Sequence, residues 1–509
     1  MKKILKSCLL ILVAVCVSFS FVGCKKKASP VSINTDNVKS SGGVTTNGGI
    51  TVVNGDYLYF INGTKDNDGT SIKNNKRAAI CRVKYDQSTG KTSGDMEVII
   101  DELAGFANAS LNIFGDYLYY TTPCADENYK GEVLYYKTTF HRYDLVNKKS
   151  YELFTTELNN KDESIKFAYY IVGEDLNLVV YEKTNQTVTS LKLGKKVTTN
   201  YVISEVQDCL LSENYGKVVT TGVKADANSY VFYSKSPKTG DYPNSGKVIY
   251  KTSPIEDNSV IISKGKEISF VAIRSGKLLF NYSSAIYMQT ITDGNDTIST
   301  DNKNCISREV LDKAIYIENY KIVGNGSTAK LVKQEGSVII LYFDSDNANS
   351  DNANLSIFQW QENGSNIEIN YTDIATISST KDFEFIGITR IEEITKEDDE
   401  KTTEVNEEEK KTFLSVLYKN SSKVYKIRIG EVLEDNTIKI YQPSDVGSSP
   451  VKLSDSTLSA TNGIFIPEVI DNNLYILAQD DDKNDYLIKV DLTPTKTVSE
   501  ESELFGITE

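Results

Sequence analysis

Residues able to do chemistry are few and scattered. His141 is the only histidine in 509 residues. A Ser-His-Asp hydrolase or a multi-histidine metal centre would rest on it alone. It stands between Phe140 and Arg142 in an alternating run, which reads as a packed or surface strand residue. Asp480, Asp482, Asn484 and Asp491 fall at positions 1, 3, 5 and 12 of a calcium-loop spacing. Hard cations take oxygen clusters of that kind. Asp485 stands where such loops have glycine, and the last ligand is Asp in place of Glu. The stretch also falls where a hairpin turn belongs, so a solvated Asp/Asn turn competes with the calcium reading. Asp66-Asn67-Asp68-Gly69 and Asp344-Ser345-Asp346 are similar turns.

Cys24 is a different kind of candidate. Lys2, Lys3 and Lys6 precede an uncharged, mostly apolar run from Ser7 to Val22, which is short for a membrane span. The run ends in Phe21-Val22-Gly23-Cys24, which resembles the bacterial lipobox with Phe where a branched aliphatic residue is usual. Residues 1–23 therefore read as a lipoprotein signal peptide, and the resemblance implies a diacylglyceryl group on the Cys24 thiol. An ordinary signal peptide with an incidental cysteine is the alternative. Residues 24–49 read as a tether. Lys25, Lys26 and Lys27 lie beside the anchor, and a Ser/Thr/Asn/Gly-rich coil follows without apolar periodicity. These features predict a cell-membrane protein, lipid-anchored on the extracytoplasmic face.

Charge narrows the partners. Removing residues 1–23 takes three lysines and no acid, which leaves −17 on the mature chain. Only seven basic residues are arginine. So acidic a surface argues against nucleic acid, whose phosphates require a basic face. Cys81, Cys124, Cys209 and Cys305 show no CxxC or Cys/His spacing, so zinc is disfavoured and buried free thiols are the simpler reading.

The elements that must position these residues repeat. Asn54-Gly55-Asp56-Tyr57-Leu58-Tyr59-Phe60 returns as Phe114-Gly115-Asp116-Tyr117-Leu118-Tyr119-Tyr120. Weaker copies continue, with anchors near 55, 115, 174, 228, 276, 336, 413 and 472, a period of about sixty. Each unit reads as four strands: short a, a Gly/Asp/Asn turn, aromatic b, alternating c, and d. Unit six reads as strand a at 329–333, a turn at Glu335-Gly336 and strand b at 338–343. Unit eight reads with a weak last strand near Val498, and unit four is blurred. No helical periodicity of 10–15 residues intervenes. The fold expected over 50–509 is all-β: a single β-propeller of about eight four-stranded antiparallel blades, with seven as the rival count. Most of the 31 tyrosines fall on b and c strands, which reads as packing between units.

Glu392–Lys411 interrupts unit seven with ten acids and four lysines where other units have a short turn. It reads as a solvated excursion, or as an arm that meets a partner.

The repeats resemble those of exported bacterial propellers of unknown function, similar to the lipoprotein-receptor propeller. Gly-Asp-Tyr-Leu-Tyr carries the likeness, with Cys81-Arg82-Val83-Lys84-Tyr85-Asp86 and Phe140-His141-Arg142-Tyr143-Asp144-Leu145 after it. The Tyr-Trp-Thr-Asp tetrad of the receptor repeats is absent, so the resemblance implies fold and not receptor function. One tryptophan, Trp360, cannot supply the per-blade Trp of WD, kelch, quinone-dehydrogenase or sialidase repeats. The expected function is recognition of a protein, peptide or glycan at the cell envelope. The alternatives are a carbohydrate-active enzyme with carboxylates at the channel mouth, or a scaffold of a membrane complex.

Overall fold

The computed structural model describes residues 49–61, 79–86, 91–102, 104, 111–126, 135–160, 165–212, 216–218, 225–237, 246–274, 276–291, 297–301, 304–307, 315–323, 330–344, 353–363, 366–377, 383–395, 410–420, 424–432, 438–443, 458–459, 466–470, 473–479, 485–491 and 494–497, those from 315 onward as backbone. Their strands form antiparallel sheets that follow the chain, the arrangement of a β-propeller. The helical content among them is one 3-10 turn, Ala227–Ser229.

Blade one pairs Thr51–Asn54, Tyr57–Ile61, Ile80–Asp86 and Lys91–Ile100 in order. The first two are joined by Gly55-Asp56, because Asn54 pairs with Tyr57. Blade two repeats this with Gly115-Asp116 between Phe114 and Tyr117. Gly55 and Gly115 have φ of 57° and 60°, and a two-residue hairpin loop needs that sign at its first position. The motif is thus selected for a turn.

Alternation along each strand then assigns side chains to two interfaces. In blade three, Phe167, Tyr169, Ile171, Leu176, Leu178 and Val180 pack with Phe114, Tyr119 and Phe140 of blade two. The intervening Ala168, Tyr170, Val179 and Tyr181 pack with Val206, Cys209, Val231 and Tyr233 of blade four. Blade two likewise turns Ile113, Leu118 and Tyr120 toward blade one. Blades four and five share a further core containing Phe232, Ile249, Ile273 and Phe280. Neither face of these sheets is solvated, which is why strands such as Asp175–Glu182 are nearly continuous apolar runs. Each fully buried Leu, Val or Phe contributes about 1.5–3 kcal/mol to this stacking.

The structure corrects the unit boundaries in several places. Strand a of blade four is Val206–Leu210, and Gly216–Val218 leaves to pair in parallel with blade three. Strand d of blade five is Cys305–Ser307. In blade six, Lys330–Asp344 is one strand, paired with Ile315–Val323. Gly336 lies in its register shift, between Lys333↔Tyr320 and Val338↔Glu318, so the glycine sits in an irregular stretch of one strand and not at a turn between two. The terminal Pro494–Thr497 pairs with Ile438–Pro443 of blade seven and leaves Ile466–Ile470, Asn473–Gln479 and Asp485–Asp491 as a three-stranded sheet. Its leading proline, without an N–H, suits an edge strand.

Candidate functional site

Strand c of blade two, Tyr135–Asp144, carries the chemically capable residues. His141 and Arg142 are consecutive, so they project to opposite faces. His141 pairs with Tyr120 on the blade-one side, and Arg142 pairs with Tyr119 on the blade-three side.

On the first face the imidazole stacks on Tyr120 with ring centroids 4.8 Å apart. Its Nε2 lies 2.7 Å from Thr122 Oγ1. Tyr120 donates to Glu102 Oε2 at 2.8 Å and shares a 2.6 Å hydrogen bond with Ser150. Burial lowers the His141 pKa below its usual value, against the opposing pull of Glu102 and Glu152. A hydroxyl against an imidazole is one half of a nucleophile–base pair. Catalysis also requires a group that orients the other ring nitrogen. Among the described residues the ring's hydrogen bond is to Thr122, and the two carboxylates act on it through charge. The arrangement favours the neutral form of a half-buried imidazole beside blade one.

On the second face Arg142 is fully buried, at 0% exposure. None of Nε, Nη1 and Nη2 has a hydrogen-bond partner among the described residues. Tyr117 lies beneath the guanidinium, with Cζ 5.0 Å from the ring centroid. The Tyr119 hydroxyl faces it and is drawn to its charge, but the two do not meet in good hydrogen-bond geometry. The Asp144 carboxylate feels the Arg142 charge but spends its hydrogen bonds on the c–d turn. It accepts from the amides of Val146 and Asn147 at 3.0 and 2.7 Å and from Asn147 Nδ2 at 2.8 Å. Burying an ion without a direct hydrogen-bonded counter-charge costs several kcal/mol, and cation–π contact returns about 1–2.

Blade one shows the same device completed. Arg82 pairs with Tyr59 and lies 4.3 Å over Tyr57, as Arg142 pairs with Tyr119 and lies over Tyr117. Arg82, however, faces Glu97 on strand d and binds it at 2.7 and 2.9 Å. The residue opposite Arg142 is Tyr151. Sequence reasoning passed over this pair. Its signal was available as Arg82 and Arg142 at matching places in the repeat, followed by Glu97 in one unit and Tyr151 in the next.

The other sequence candidates are placed as follows. Cys24 lies outside the described residues, as do Asp480, Asp482 and Asn484. Asp491 ends its strand paired with Asn473, while Asp485 pairs with Gln479 beside the loop. Among the described residues no group of three or more His, Cys, Asp or Glu side chains forms a metal cluster. Cys81, Cys209 and Cys305 are buried thiols outside any disulfide, in three different blades, and burial pushes the Cys81 thiol up to about 12. In blade seven, Phe383–Thr395 and Lys410–Asn420 stay paired as far as Thr395↔Lys410. Glu392, Glu393 and Lys411 are thus part of a ladder, and the acidic connection narrows to residues 396–409, outside the described residues. Among the described residues no helix is long and apolar enough to cross a membrane.

No family model matches the chain, and no curated protein matches it. Among solved structures it is similar to the WD40 domain of SCAP from fission yeast, at 10% identity over 91% of this chain and 96% of that one, with a TM-score of 0.35. The propeller domain of the Trilobed protease from Pyrococcus furiosus aligns at 9% identity over 79% and 98%, with a TM-score of 0.30. Trypanosoma rangeli sialidase aligns at 10% over 92% and 83%, with a TM-score of 0.22. The fold assignment rests on the chain's own strand register and interblade packing.

Proposed function

We propose that this chain is a lipid-anchored, extracytoplasmic propeller of eight blades that binds a protein, peptide or glycan partner at the cell envelope. The observation that carries the reading is the a–b hairpin of blade seven. Blade one closes this hairpin with Gly55-Asp56, whereas blade seven continues its ladder to Thr395↔Lys410 before an acidic connection. An extended two-stranded stem leads into that acidic connection, and inter-strand loops are where a propeller makes its contacts. Inside blade two the guanidinium is buried and the imidazole is half-buried and stacked on Tyr120, which leaves loops as the main surface for contact. The lipid on Cys24 supplies the membrane attachment, since an acidic domain gains nothing from an anionic bilayer.

The test replaces residues 396–409 with Asn-Gly, which closes a two-residue hairpin on the Thr395↔Lys410 pair. Crosslinked pull-down from native membranes is then compared with wild type. Loss of a partner from the shortened protein is expected, and recovery of the same partners from both removes the arm from the mechanism. Metabolic labelling with a lipid precursor is expected to disappear in Cys24→Ala. Persistent labelling sinks the anchor.

A further inference from the structure

We infer that blades two and three enclose a site for one small monovalent inorganic anion of chloride size, held by Arg142 and Tyr119. Three independent observations converge on it. The guanidinium is completely buried, and all three of its nitrogens lack hydrogen-bond partners among the described residues. The Tyr119 hydroxyl, opposite it in register, is also buried without one. The equivalent arginine of blade one is neutralised by Glu97, and blade two has Tyr151 at that position.

The chemistry of the ligand follows from the surroundings. Guanidinium N–H groups only donate, so whatever fills the site must accept. A water molecule accepts but brings no charge, and Asp144 acts on the guanidinium through its field without a direct ion pair. Asp144 lies near enough for Arg142 to favour its ionised form, yet its oxygens are occupied by the turn at Val146 and Asn147. A polyatomic carboxylate or phosphate ligand would need an opening, and Arg142 has none. A single small anion enclosed as the blades stack satisfies the charge, the donors and the closure together. It would act as the movable counterpart of Glu97 and tie the packing of two blades to the salt around the protein.

The experiment uses the full chain in detergent. Thermal unfolding is followed in sodium chloride and in sodium gluconate at equal ionic strength, because gluconate is too large to enter. Wild type is expected to melt higher in chloride, with an increment that saturates. Arg142→Met removes the charge, and Tyr151→Glu restores the blade-one carboxylate, so both are expected to lose the chloride increment. Should Arg142→Met fail to fold, Tyr151→Glu decides alone. Crystals grown in sodium bromide are expected to show an anomalous peak within hydrogen-bonding reach of the Arg142 nitrogens. Equal melting of wild type in the two salts overturns the site. So does a chloride increment retained unchanged in the folded variants, or a bromide map with no peak there.

Discussion

Glu97 and Tyr151 occupy the same place on the fourth strands of neighbouring blades, each opposite the arginine of strand c. One is a carboxylate and the other is not. That difference makes Arg82 a half-exposed ion pair and Arg142 an enclosed charge.

The exposed version contributes little. Glu97 is 56% exposed and Arg82 24%, so solvent screens their attraction. Glu97→Gln is expected to cost about 0.2–1 kcal/mol in urea unfolding, and less at high salt. A loss of several kcal/mol would show that the pair is shielded from water.

Tyr170 links blades three and four. Its hydroxyl accepts from the Ser212 amide at 3.0 Å and reaches the Tyr230 carbonyl at 3.5 Å, with all three groups buried. Tyr170→Phe keeps the ring and removes the acceptor. The expected cost is about 1–3 kcal/mol, read as a lower denaturation midpoint with unchanged slope.

Asp144 carries a pH dependence of known sign. Burial works to raise its pKa, but the hydrogen bonds from Asn147 and Val146 and the Arg142 charge outweigh that and hold it below the usual value of 3.8. A depressed carboxyl stabilises the fold above its unfolded pKa, and that stability is lost as pH falls through the folded one. Asp144→Asn is expected to lower stability at neutral pH and to flatten the acid limb of the stability curve below about pH 4. Parallel acid limbs in the two proteins would remove the turn from the account.

His141 works in the opposite chemical direction. Its pKa is lowered from 6.5, with burial as the main cause, so the unfolded chain takes up a proton that the folded chain refuses. Its neutral form therefore supports the fold fully above pH 6.5, and this support is lost as pH falls below that value. His141→Gln is expected to be less stable at pH 8, having lost the stack on Tyr120, but to decline less between pH 6.5 and 5.5. Equal slopes for variant and wild type would show that the ring is already hydrated.

The sequence alone carried the fold class, because an aromatic strand after Gly55-Asp56 and again after Gly115-Asp116 is a local geometric requirement repeated at fixed spacing. It also located the acidic departure in blade seven, since composition needs no partner to be read. Three-dimensional pairing decided the rest. Gly336 carries the same local signal in an irregular stretch of one strand as in a turn, and only the facing strand Ile315–Val323 distinguishes them. Arg82 and Arg142 are near-identical in sequence context. What separates them is the residue on strand d and the wall of the next blade, and these long-range contacts set whether a charge meets a carboxylate, water or neither.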